Sequence, residues 1–195
     1  MVKAMKKVGL LFVAWGATLS ARSEPAEYVI DPDHVTVAFL VEHAGYASVL
    51  GQFLDVEGTF VFDEDSGEVG EVDVTIRAES VFSNHDARDD HVRGRDFLDA
   101  SRHPAIRFTA DGARRVGDRE FEIDGSVEIL GAARPLQLDA TWNKSADYPF
   151  GRAYVIGVSA RTELMRGDFG MTYGLDDGLV GDRVEIIVEF EARRR

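Results

Sequence analysis

Apolar and polar residues take turns through most of this chain. Val184, Ile186, Val188 and Phe190 alternate with Arg183, Glu185, Glu189 and Glu191, and only Ile187 is out of step. Leu136, Leu138, Ala140 and Trp142 alternate with Gln137, Asp139, Thr141 and Asn143. Phe121, Ile123, Gly125, Val127 and Ile129 do the same, as do Val72, Val74, Ile76 and Ala78. Segments at about 34–42, 54–63, 104–111 and 152–164 read alike. Successive side chains of a strand point to opposite faces, so a period of two marks sheet with one buried face. About eight long strands result, punctuated by Asp63–Gly67, Arg115–Asp118 and Gly131–Ala133. Long strands with one apolar face must stack or close on themselves. Their length, number and sequential order predict an all-β, eight-stranded antiparallel barrel. Such a barrel has room inside for side chains or for one small ligand. No internal repeat points to a propeller or solenoid.

One stretch breaks the alternation. Ser80 to His103 carries charges spaced for a short helix. Ser83 or Asn84 is the expected N-cap, and Asp86, Asp89 and Asp90 suit the positive helix start. Gly94 is the expected end, and Pro104 returns the chain to extended structure. A connection this long between two strands is typical of lids and plugs.

The 195 residues carry 22 Lys+Arg against 35 Asp+Glu, a net charge of −13. That balance excludes nucleic-acid binding, which rests on basic patches, and polybasic docking on anionic lipid. The absence of Cys excludes disulfides, thiolate metal sites and a Cys nucleophile. Residues 1–23 have the layout of a signal peptide: Lys3, Lys6 and Lys7, then an apolar run from Val8 to Ala17, then small residues through Ser23. That run is too short for a bilayer span of about 20 residues. Cleavage there would remove Lys3, Lys6, Lys7 and Arg22 and take the charge to −13 − 4 = −17. Residues 24–195 then form one exported, periplasmic or secreted domain.

Polar candidates are few. His85, Asp86, Asp89 and His91 suggest metal, but on a helix only His85 and Asp89 share a face, short of the three ligands a catalytic zinc needs. No metal site is therefore assigned. Arg88, Asp89 and His91 read instead as a hydrogen-bonded cluster that fixes the insertion or faces a ligand's polar head. His43 follows the first long strand, at a strand end or a cavity mouth. There is no G-x-S-x-G elbow, G-x-G-x-x-G or phosphate loop. An enzyme using His43, His85, Asp89 and His91 near the barrel mouth is the rival reading. A third reading is an interaction protein with a filled barrel and an acidic outer face.

Several blocks resemble the YceI-like family of exported lipid-binding proteins. These are Tyr28–His34 continuing through Val37–His43, then Gly51–Phe53 with Gly58–Phe60. Arg88–Val92, Asp96–Asp99 and His103–Phe108 follow, then Gly131–Leu136 and Arg166–Met171. Val35, Leu98 and Ala133 depart from that family's usual residues. The resemblance implies an extended lipocalin-like barrel, a periplasmic location, no cofactor and no catalytic activity. It further implies an elongated apolar tunnel for a polyisoprenoid or isoprenoid quinone. Phe39, Phe60, Phe62, Phe108, Ile123, Trp142 and Phe169 are expected to line it. Phe97 and Leu98 should cover one opening, with His43 at the mouth and Arg88, His91 and Arg166 toward a polar head. Ile187, on the outward face, leaves room for a homodimer, and transient contact with membrane components is a further expectation.

Overall fold

The computed structural model describes residues 25–195; the expected signal peptide lies outside the described residues. The main strands are β1 (Ala26–His43), β2 (Ala47–Phe53), β3 (Val56–Phe62), β4 (Val69–Arg77), β6 (Ala105–Ala110), β8 (Glu120–Ile129), β9 (Ala132–Asp147), β10 (Tyr154–Met165) and β11 (Val180–Arg194), with two-residue strands β5 (Val81–Phe82) and β7 (Arg114–Arg115). The ring runs β1-β3-β4-β6-β8-β9-β10-β11 and closes through β11 on β1, giving an eight-stranded antiparallel barrel. Closure removes the free edges that an open sheet would present.

Alternation places the walls. Phe121, Ile123, Val127 and Ile129 of β8 face inward, as do Leu136, Leu138, Ala140 and Trp142 of β9. Ile156, Val158, Ala160, Thr162 and Leu164 of β10 continue the same face, followed by Val184, Ile186, Val188 and Phe190 of β11. The β8–β9 hairpin turns on two residues, Leu130 at φ 54° and Gly131 at φ 75°. Two consecutive positive φ values match the twist of the flanking strands. The turn thus lies one residue earlier than its sequence punctuation.

β1 is longer than its apolar run because it changes partner. Ala26–Val29 pairs with β3, and Val37–His43 pairs with β2. Between Ile30 and Val35 the register against β11 shifts: a step of five residues on β1 is matched by a step of two, Ala192 to Phe190, on β11. The excess of three is odd, so the inward set changes from Tyr28 and Ile30 to Val35, Val37, Phe39 and Val41. Asp31 fastens this bulge. Its buried carboxylate accepts from the Asp33 backbone N–H (3.3 Å) and the Arg193 guanidinium (2.6 Å). It also shares a hydrogen bond with His34 Nδ1 at 2.9 Å.

The insertion holds one helix, α1 (Asp86–Arg93), which ends at Gly94. Its N-cap is His85, not Ser83 or Asn84: His85 Nδ1 accepts from the Arg88 N–H at 3.2 Å. Asn84 instead sits at φ 61°. Ser83 gives its N–H (2.8 Å) and its hydroxyl to the buried Asp89 carboxylate. Arg88 completes this knot through Nε to Ser83 Oγ (2.7 Å) and Nη2 to Ser83 O (2.6 Å). Arg93 then ties the helix to β5, donating to Val81 O at 2.8 Å.

The meander sorts the connections between two ends. One end carries α1, the β8–β9 turn and the segment between β10 and β11. The other carries the β3–β4, β9–β10 and β6–β8 connections together with both described chain ends.

Candidate functional site

The barrel encloses an apolar cavity of about 270 Å³, at the lower edge of the ~300–1,000 Å³ usual for small-molecule sites. Phe39, Phe60, Phe62, Phe108, Ile123 and Trp142 line it, each from an inward position of its strand. From the insertion come Val92, Phe97 and Leu98, and from the β10–β11 segment come Arg166 and Met171. Phe53 also faces it, with its ring 5.7 Å from that of Phe39.

The interior stays open partly because one ring lies against the wall. A Cβ on Gly125 would stand 2.5 Å from Cζ of Phe108 and 2.6 Å from the Thr109 carbonyl oxygen. Any other residue at 125 would drive the Phe108 ring toward the bore.

At the insertion end an aromatic roof covers the cavity. The rings of His91 and Phe97 lie 5.1 Å apart, His91 and Tyr173 4.8 Å, and Phe97 and Tyr173 5.5 Å. Beneath them is Arg166, with Cζ 5.6 Å from the Phe97 ring centre. Its guanidinium is almost wholly buried, at 2% exposure. It donates through Nε to Gly181 O (2.7 Å) and through Nη1 to Met171 O (2.6 Å). Nη2 donates to Tyr173 O (2.8 Å) and Val180 O (2.7 Å). Burial pushes its pKa down, partly offset by Asp182.

At the opposite end Glu64 braces two phenols, accepting from Tyr28 (2.7 Å) and Tyr154 (3.0 Å). Burial, then Glu64, pushes the Tyr28 hydroxyl far above its ordinary value, so it stays a donor. Phe62 packs edge-on against Trp142 (5.2 Å) and Phe121 (6.0 Å) above this brace.

Four residues expected at the ligand stand elsewhere. Phe169 is buried in the hydrophobic cluster with Val81, Leu98 and Phe108, on the short turn Arg166–Phe169, and does not line the cavity. His43 is exposed at the end of β1, paired through its backbone with Ala47 and Val180. Arg88 serves Ser83. His91 belongs to the roof, its Nε2 2.9 Å from Asp96. The His43, His85, Asp89 and His91 set therefore does not assemble; each member has its own place and partner. Among the described residues a different trio comes together: ligand atoms of Asp31, His34 and Glu191 lie within 4.8 Å of one another. Arg193 already neutralises Asp31 there, and none of the three lines the cavity.

A closed antiparallel barrel with an apolar bore, roofed at one end and braced at the other, defines a class of small-ligand-enclosing β-barrels. The model of the YceI-like domain matches residues 28–192, and the chain belongs to this family. A UPF0312 protein of Pectobacterium atrosepticum is 36% identical over 194 residues, 98% of this chain and 99% of that protein. Among solved structures, Burkholderia cenocepacia BcnA superposes with a TM-score of 0.75 at 19% identity, covering 83% of this chain and 98% of that one. A polyisoprenoid binding domain from Saccharophagus degradans, implicated in plant cell wall breakdown, superposes at 0.65 with 13% identity, over 88% and 100% of the two chains. At these identities the last two likenesses concern the fold.

Proposed function

We propose that this protein binds one long isoprenoid lipid, a polyisoprenoid or an isoprenoid quinone, in the bore of its barrel, and sequesters or carries it without chemical change. One observation supports this above the rest: the bore is walled on all sides by aliphatic and aromatic side chains. An isoprenoid tail gains about 0.8 kcal/mol for each CH2-sized group moved out of water. The solved Saccharophagus domain is named for polyisoprenoid binding, which is consistent with this use of the fold. Export to the periplasm is part of the proposal, resting on the Lys-rich start and apolar run before Ser23.

Organic extraction of the natively purified protein, followed by mass spectrometry, tests the reading. The expected product is an isoprenoid lipid at close to one per barrel. Phe108→Asp places a carboxylate in the bore and should abolish retention. A folded Phe108→Asp protein that still holds the same lipid would sink the proposal.

A further inference from the structure

Strand register stacks the inward residues of the bore in layers. In one layer Phe121 pairs with Ala140, Ala140 with Ala160, and Ala160 with Val188. Two small residues side by side form a shelf there and leave the bore wide. In the next layer toward Glu64, Trp142 pairs with Val158 and Val158 with Phe190. The wall turns bulky at that step, and the Phe62 ring packs edge-on to the indole at 5.2 Å. Both rings are fixed in place. The Trp142 N–H donates to Ser145 Oγ at 2.8 Å, and Arg119 lies over the indole with Cζ 5.4 Å from the ring centre. Phe62 is 3% exposed and wedged against Phe121 as well. Tyr28, Glu64 and Tyr154, just beyond, do not line the cavity, so the bore ends at these rings. The other end is softer: His91 and Tyr173 of the roof are both exposed.

Resting on the lipid-binding reading, we infer that Trp142, backed by Phe62, is the stop that sets the longest isoprenoid tail the bore accepts. A tail entering beneath the roof gains with each unit it buries, until its end crosses the Ala140–Ala160 shelf and meets the indole. One unit more must stay in water or push aside a close-packed aromatic layer, so binding weakens beyond that length.

The test offers delipidated full-length protein an equimolar mixture of linear isoprenoid alcohols, one unit apart in length and carried on cyclodextrin, and reads the bound fraction by mass spectrometry. The bound series should end at a longest chain, with the next member at least about tenfold less enriched, the loss expected when one isoprene unit finds no place in the bore. Trp142→Ala should move that limit to longer chains by at least one unit. Ala140→Leu fills the shelf above the stop and should move it to shorter chains by at least one. The two shifts are opposite, so if circular dichroism shows one variant unfolded, the other decides. Equal binding of every length by the unmutated protein, or a folded variant whose limit stays where it was, would overturn the role of Trp142 and leave lipid binding intact. Failure to bind any member of the series would overturn the lipid reading and this inference with it.

Discussion

Gly125 shows how a single missing Cβ keeps the interior usable. The Phe108 ring and the Thr109 carbonyl occupy the space a side chain would need. The ring could yield only by swinging inward, and the carbonyl could yield only by moving a strand. Gly125→Ala should therefore cost about 1–3 kcal/mol, the usual range for overpacking, read as a lower denaturant midpoint. It should also release bound lipid, since the displaced ring enters the bore. A Gly125→Ala protein of unchanged stability and lipid content would contradict the packing described here. Arg166 makes the complementary point. Its type and position suggested a polar contact, but only the fold shows that four backbone carbonyls hold it.

At the scale of elements, the bulge in β1 joins a fold requirement to titratable groups. Burial opposes ionisation of Asp31, but the hydrogen bonds of His34, the Asp33 N–H and Arg193 outweigh it and hold the carboxyl below its ordinary value. The same bond to Asp31, with Glu191 nearby, raises His34. A raised histidine contributes stability that is fully present below about pH 6.5 and is lost as pH rises through its folded value. The depressed Asp31 contributes above about pH 3.9 and is lost as pH falls through its own lower value. Denaturant midpoints should accordingly decline as pH rises above about 6.5, and His34→Gln should flatten that slope while leaving the acid limb governed by Asp31. An identical slope in the variant would show that His34 does not act through this pair.

The ring strands were legible because each shows an apolar face to the bore and a polar face outward. β2 was not legible. It continues the wall beside Val37–His43 of β1, with Phe53 toward the cavity. Its inward position 51 is a glycine, because the Phe39 ring fills the space a side chain would need, and its outward Leu50 is exposed at 58%. A glycine inside and a leucine outside erase the alternation. The start of β1 was hidden for a different reason: the odd excess at Asp31–His34 breaks the period that identifies a strand. Cap chemistry misled at α1, where Ser83 looked like a cap but bonds to Asp89, leaving that role to His85. Of the expected ligand contacts, the inward aromatics could be placed by parity alone. Phe169, His43, Arg88 and His91 lie in turns, a strand end and the insertion, where no period assigns a face.

At the scale of the whole molecule, the barrel is sealed by its first and last strands. Tyr28 pairs with Arg194 and His43 with Val180, so one seam spans almost the entire described chain. Contacts this distant in sequence slow folding, because chain entropy is lost before they form. Truncation after Gly178 removes β11 and should abolish the cooperative unfolding transition rather than weaken it, as followed by circular dichroism in urea. A shortened chain that still unfolds in one sharp step would show the seam to be dispensable. The order of synthesis gives this seam a further meaning. Because β11 follows every other strand of the wall along the chain, their oily sides stay uncovered until its fifteen residues are in place. The period of greatest risk for this protein is therefore set by β11, the strand that shuts the wall.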